Sequence, residues 1–489
     1  MNKNIEKFYI EWKSNLDQYL KSYFQTPEGK KRKTRSSYLM LQKYVNKLIS
    51  GELPEEEKII ILPGIRGVGK TTLLSQLYFF EINKPVNHLS KDINTTVDER
   101  IYISVDRLLS EDISLGEFID YLEKNVWGNL LQNKKKILLL IDEIQYDPKW
   151  DLFLKLLFDK TKGNKNILVI ATGSSAIFLN QKNKDLVRRS KTERVLPTKF
   201  CEYLTLHKDI FPEKDLSKNL ARAIFHSKNA QEVFDKIKQL QSVIIKKLST
   251  ITNLNDLKKD YFYRGSFPFS AEMINESEAL ERIKAMILIN IVQRDLILLN
   301  DFNAETLVKI PNVLFLLANS DEISIKKLSE TIDLAPLTLN KILSALTDAE
   351  ILYELKAYGQ PYKQVKKSGK YLFMSPNIRI GLLSGVIGVD IKGKILEDYL
   401  ALLFSKELYG QVDAYYDYGS GGADFIVRFK DNTEIVFEIG FSKNEINQVQ
   451  TTMKKTKGRA KYGIVFGSDS LELSEDSIVK IPLDYLLLL

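Results

Sequence analysis

A short apolar run, Ile59 to Leu62, leads straight into PGIRGVGKTTLL, and no other stretch of the 489-residue chain restricts its fold as tightly. The segment fits G-x-x-x-x-G-K-[ST] as Gly64, Gly69, Lys70 and Thr71. Glycines let consecutive backbone N–H groups turn inward around phosphate oxygens. A lysine then reaches the β and γ phosphates, and a hydroxyl at the start of a helix offers itself to Mg²⁺. Such a loop works only between a strand and a helix, and the flanking residues read as both. The expected nucleotide-binding set is Gly64, Arg66, Gly67, Gly69, Lys70, Thr71 and Thr72, with ATP and Mg²⁺ as ligands.

From Lys58 onward, β-rich runs alternate with helical ones: KIIILPG, TTLLSQLYFFEI, RIYISVD, LGEFIDYLEKNVW, KKILLLIDE, DLFLKLLFDKT and NILVIATGSS. Continuously apolar strands alternating with helices predict a parallel sheet covered on both faces. The expectation is therefore an α/β P-loop NTPase core over 51–205, preceded by a helical extension over 1–50. ILLLIDE ends in Asp142, expected to hold Mg²⁺, and Glu143, expected to polarise the attacking water, so hydrolysis follows rather than binding alone. Thr172, Ser174 and Ser175 close the next strand, where one of them would sense the γ phosphate or simply cap a helix. Arg188, Arg189 and Arg194 are candidates for an arginine that stabilises charge on the transferring phosphoryl group. Such an arginine acts in cis or from a neighbouring copy, which makes a homo-oligomer an expected partner.

The combination of GIRGVGKTTLL, YISVD, LLLIDEIQ, ATGSSA and an arginine eight residues before the proline of RVLPTKFCEYL resembles a large prokaryotic group of AAA+-related ATPases. Members of that group are fused to a winged helix and a C-terminal domain resembling PD-(D/E)xK nucleases. Arg189 matches the group's arginine and Arg188 stands where it has glycine. Of its Pro-Leu-Ser-Phe segment, the run Pro197, Thr198, Lys199, Phe200 keeps the proline and the aromatic. DYFYRGSFPF is similar to its Gly-Gly-Phe-Pro turn, and IVQRDL to its later Arg-Asp helix, which implies Arg294 as a second nucleotide sensor. The resemblance runs from about residue 40 to near the end of the chain, and it implies action on DNA in a defence or mobile-element setting.

Beyond the core, residues 206–300 read as a helical lid or connector broken at YRGSFPF. Three helices and a hairpin over 301–375 read as a winged helix, in which Ile325, Leu328, Leu339, Ile342, Leu343 and Leu346 face a core. Its second helix exposes Thr338, Asn340, Lys341 and Ser344 and ends at Asp348 and Glu350. That thin basic face suits DNA or a protein partner equally. The last segment, 376–489, returns to a small α/β nuclease-like domain. Metal-dependent phosphodiester hydrolysis needs carboxylates at neighbouring strand ends and a lysine near the water. Glu397, Asp424 and Glu438 come in the right order, but alternation along the strand puts Gly440 where the lysine belongs. Lys443 could return to the site only through a bend, so cleavage activity is in doubt. The basic stretch Lys454, Lys455, Lys457, Arg459 and Lys461 reads as a helix that is either solvated or laid on a nucleic-acid backbone.

A charge of +8 favours a polyanion weakly. The run Lys30, Lys31, Arg32, Lys33, Arg35 reads as a solvated loop or a phosphate contact. Cys201 stands alone, no leader opens the chain, and no apolar run approaches the ~20 residues of a membrane span, so a cytoplasmic protein without membrane contact is expected. Three readings stand. They are an ATPase that couples nucleotide state to DNA-binding C-terminal modules, a nucleotide-operated switch that recognises a protein, and an active metal-dependent nuclease that uses Lys443.

Overall fold

A computed structural model of the chain describes residues 3–80, 97–130, 132, 134–175, 186–210, 213, 215–296, 302–320, 324–360, 367–388 and 391–489. Its contacts divide the chain into two units, Met1–Val195 and Leu196–Leu489.

The first unit is built on a five-stranded parallel sheet of β1 (Ile59–Pro63), β2 (Glu99–Ser104), β3 (Ile137–Asp142), β4 (Ile167–Gly173) and β5 (Lys191–Thr192). The spatial order is β2-β3-β4-β1-β5. Strands β1, β3 and β4 are buried along their whole length, which explains their unbroken apolar sequences. Because β4 lies between β1 and β3, its C-terminal Thr172 comes up between the glycine loop and Asp142. The register Leu62↔Thr172 and Ile141↔Ala171 fixes that level. The helix Lys70–Tyr78 follows β1, and the helix Leu115–Leu122 is opened by a reciprocal capping box between Ser114 and Glu117.

The N-terminal extension belongs to this unit. In the helix Lys3–Phe24, Trp12, Leu16 and Leu20 recur every fourth residue and are buried. Trp12 Nε1 donates to the carbonyl of Tyr102 at 3.0 Å, and Ser75 Oγ donates to the carbonyl of Leu20 at 2.7 Å.

The second unit holds helices between Phe200 and Asp295, including a wide turn Tyr261–Gly265 at the expected break. Three further helices follow, Ala304–Asn319, Ile325–Ile332 and Pro336–Asp348. Ser324 caps the second of these, and Asp333 in the left-handed region with Pro336 at the first helical position makes the turn into the third. Leu328, Leu339, Ile342, Leu343 and Leu346 are buried as expected. Glu350, expected at the end of the third helix, lies just past it, buried at φ 59°.

The hairpin β6 (Leu352–Ala357) and β7 (Lys370–Phe373) is antiparallel. It does not end a separate domain at residue 375, because β6 pairs in parallel with β8 (Val412–Tyr416). One eight-stranded sheet results, in the order β12-β13-β11-β10-β9-β8-β6-β7. Here β9 is Phe425–Phe429, β10 Glu434–Ile439, β11 Ala460–Phe466, β12 Glu472–Leu473 and β13 Ile478–Ile481. The turn Asp431–Thr433 suits the antiparallel pair β9 and β10. The parallel pair β10 and β11 needs a crossover, supplied by the helix Asn447–Lys455. That helix stops at Lys455, so the basic stretch is not one helix: Lys457 sits in a left-handed turn and Lys461 lies on β11. The terminal leucines 486–489 are buried.

Candidate functional site

In the first unit the loop after β1 is shaped by glycine. Gly67 (φ 82°) and Gly69 (φ 91°) lie in the left-handed region that other residues enter only at a cost. A Cβ on Gly64 would stand 2.4 Å from the carbonyl oxygen of Val195, so that position has no room for a side chain. Lys70 is buried, and its Nζ donates to the carbonyls of Gly64 at 2.7 Å and Ile65 at 3.3 Å. From outside the motif, Arg35 props the loop through Nη1 to the carbonyl of Val68 at 2.8 Å. Arg35 comes from the basic run and is only 7% exposed, so this end of the run is not solvated.

Asp142 is the centre of a hydroxyl cluster. Thr71 Oγ1 donates to Oδ2 at 2.7 Å, Tyr102 OH donates to Oδ2 at 2.8 Å, and Thr172 Oγ1 donates to Oδ1. Burial and the neighbouring Glu143 carboxylate raise the Asp142 carboxyl above its usual range. A buried carboxylate ringed by hydroxyls is a donor set that would fit Mg²⁺ on Thr71 and Asp142. Glu143 holds φ 53°, its N–H donates to Thr172 Oγ1 at 3.2 Å, and its carboxylate accepts from Gln145 Nε2. Arg66 Nη2 stands 3.8 Å from the same carboxylate and donates to Tyr146 OH at 3.1 Å. Gln145 Oε1 in turn accepts from the N–H of Ser174 at 3.3 Å.

Thus Lys70, Thr71, Asp142, Glu143, Thr172, Ser174 and Arg66 lie together around the glycine loop and the end of β3. Tyr102, Gln145, Tyr146 and Arg35 are additions that the motifs did not single out. Gln145 was accessible from its place two residues beyond Glu143. The other three depend on sheet order and helix docking. Of the three arginines, Arg189 pairs with Asp159 at 2.9 Å on the helix Trp150–Lys160 and lies over the Phe158 ring. Arg188 is exposed and Arg194 half-buried. Arg294 lies on the helical run Met286–Asp295, and its side chain is outside the described residues.

In the second unit the expected carboxylates also meet. Asp424 immediately precedes β9 and faces Glu438 across the antiparallel pair with β10. The N–H of Asp424 donates to Glu438 Oε2 at 3.1 Å, and that of Ile439 donates to Asp424 Oδ2 at 3.0 Å. Burial, Glu397 and Glu438 hold the Asp424 carboxyl well above its usual range. Burial raises Glu438 too, against the pull of Lys443. Glu397, on the helix Lys392–Glu407, pairs with Lys370 at 2.5 Å.

The chain bends after Gly440, with Ser442 at φ 52°, and returns Lys443 to the cluster. Lys443 Nζ lies 2.6 Å from both Glu438 Oε1 and Gln448 Oε1. A Cβ placed on Gly440 would stand 3.4 Å from Lys443 Cβ and Cδ. The Lys443 stem therefore packs in van der Waals contact beside the place a Cβ at 440 would take. Among the described residues no three carboxylate, histidine or cysteine side chains are grouped closely enough to enclose a metal.

Residues 56–204 match a family model described as an AAA domain, and residues 254–390 match a domain of unknown function (DUF8612). Over 473 residues, 94% of this chain and 90% of the relative, the sequence is 36% identical to the uncharacterized protein MJ1637 of Methanocaldococcus jannaschii. The chain belongs to that protein's family. Within the chain, residues 56–204 match the AAA domain, and the parallel sheet of the first unit has the fold of a P-loop NTPase. Solved structures with some likeness to this chain include Aeropyrum pernix ORC1 in complex with DNA (12% identical, 75% of this chain and 93% of that one, TM-score 0.31). Another is AMPPCP-bound DnaA from Aquifex aeolicus (14% identical, 68% and 93%, TM-score 0.25). No helix among the described residues of this family member is long and apolar enough to cross a membrane.

Proposed function

We propose that this AAA protein hydrolyses ATP and couples its nucleotide state to nucleic-acid binding by the second unit. The observation that carries the hydrolytic part is the linked set Thr71–Asp142–Thr172–Glu143 beside a buried Lys70. Mg²⁺, when bound, would neutralise charge on the phosphates. Lys70 leaves the loop carbonyls to meet the β and γ phosphates. Thr71 and Asp142 hold the cation. Glu143, oriented by Gln145 and by its own N–H on Thr172, accepts a proton from the attacking water. Ser174 reports on the γ position through Gln145. Arg188, Arg189 or Arg194 completes the site from the same chain or from a second copy, and Arg294 is the proposed second sensor.

A nucleic-acid target is supported by three helices followed by a hairpin, the arrangement of a winged helix, and by the carboxylate pair beside it. The position of Lys443 favours a second reading, metal-dependent phosphodiester cleavage. In that reading Asp424 and Glu438 hold the cation, Lys443 and Gln448 position water, and Glu397 balances Lys370.

ATP turnover measured with and without single-stranded and duplex DNA, with DNA integrity scored in the same tubes under Mg²⁺ or Mn²⁺, tests both. Turnover in the wild type that collapses in Glu143→Gln supports the first reading, and normal turnover in that variant removes Glu143 as the base. Cleavage abolished by Glu438→Ala supports the second, and intact DNA under every condition rejects it.

A further inference from the structure

Three adjoining cavities of the second unit share walls and form one groove. The largest of the three, about 870 Å³, is lined by Tyr358, Tyr415, Arg428, Lys455, Lys457 and Arg459. Asp417, Tyr418 and Gly419 pass from it into a cavity of about 310 Å³ that runs along the glycine loop to Asp424. Lys370, Tyr416 and Tyr418 continue into a third, about 290 Å³, which ends at Ser324 and Lys367. Asp424 therefore lines the middle cavity of the three, and basic side chains line the outer two.

Charges on the large cavity are arranged, not merely numerous. Glu434 is fully buried and accepts from Arg428 at 2.7 Å and Arg459 at 3.1 Å, while Tyr358 OH donates to its other oxygen at 2.7 Å. Arg428 also lies over the Tyr358 and Tyr415 rings. The two guanidinium groups are thus held in fixed positions, and Lys455 is held by Asp417 at 2.6 Å. Lys457, exposed on its left-handed turn, makes no ion pair among the described residues. Tyr418, 38% exposed where the cavities join, carries Lys367 over its ring at 5.2 Å. Fixed cations spaced along a groove, with an accessible ring at its midpoint, match a ligand that repeats phosphate and planar base. An acidic peptide would use the cations but leave the ring without a role, and a duplex keeps its bases stacked away from Tyr418.

We propose that this groove binds a single strand of nucleic acid, with Lys455, Lys457 and Arg459 on its phosphates and Tyr418 stacked under a base. The strand passes Asp424. The inference rests on the reading of the second unit as a nucleic-acid binder and narrows it to strandedness and route.

The test is fluorescence anisotropy of the full chain with fluorescein-labelled oligothymidylate and with a duplex of the same length, over a KCl series. Wild type is expected to prefer the single strand. Lys457→Gln should lower the log–log salt slope by about 0.7, the share of one phosphate contact on a single strand. Tyr418→Ala should weaken single-strand binding about 5–150-fold at unchanged slope, with recovery in Tyr418→Phe. Unchanged thermal midpoints show that the variants are folded. Single-strand binding that survives both substitutions overturns the groove and leaves the nucleic-acid reading standing. Equal single-strand and duplex affinities overturn the strandedness. Absence of binding to either at low salt overturns the groove and the reading together.

Discussion

Lys443 illustrates how one side chain can restore what the linear pattern removes. Period-two alternation gives position 440 to glycine, yet the backbone bends at Ser442 and brings the lysine ammonium to Glu438. In the first unit, Lys70 and Glu143 divide the proposed work, so their substitutions should separate binding from turnover. Lys70→Ala should abolish nucleotide-dependent stabilisation in a thermal-shift assay and cut ATP turnover by about 10²-fold or more. Glu143→Gln should keep the shift and lose turnover by about 10²–10⁴-fold. Lys394 offers a pH test. Burial pushes its ammonium down to about 8. The unfolded chain therefore binds more protons between about pH 8 and the ordinary lysine range near 10.4, and stability must rise with pH across that window. Urea midpoints of wild type minus those of Lys394→Met should increase from pH 8 to pH 10.

At the scale of elements, a buried ion pair joins the helices and the hairpin of the second unit. Arg379, on the helix Pro376–Leu382, meets Asp398 through two contacts of 2.6 and 2.9 Å and donates to the carbonyl of Ala318 at 3.0 Å. The N–H of Phe373 on β7 donates to the same Asp398 at 2.8 Å. Removing one partner strands the other charge, so Arg379→Ala should cost about 3–5 kcal/mol by urea unfolding, and Arg379→Met with Asp398→Leu should recover most of it. In the loop after β1, Gly69→Ala forces a Cβ into the left-handed region. That change should cost about 1–2 kcal/mol and weaken ATP binding. These joints explain why β6 and β7 belong with the C-terminal sheet: the hairpin is paired to β8 on one side and held through Asp398 on the other.

At the scale of the whole molecule, the proposed coupling has a thermodynamic consequence. If nucleotide state alters nucleic-acid affinity, nucleic acid must alter nucleotide affinity by the same factor, commonly 5–150-fold. ATP affinity measured with and without saturating single-stranded DNA should therefore shift by the factor by which ATP shifts DNA affinity. Equal ATP affinities would separate the two units functionally.

The sequence by itself determined the strand–loop–helix around Lys70, the buried strands ending at Asp142 and Thr172, and the order Glu397, Asp424, Glu438. Those features are local, since continuous apolar runs and glycine spacing encode them directly. Tertiary structure alone decided the rest. It docked Arg35 on the glycine loop and brought Tyr102 to Asp142. It turned Lys443 back to Glu438 and aligned Tyr418 with Lys457 along one groove. Each of these contacts joins residues whose distance depends on strand order, a bend or a helix stop, and residue periodicity carries none of that information.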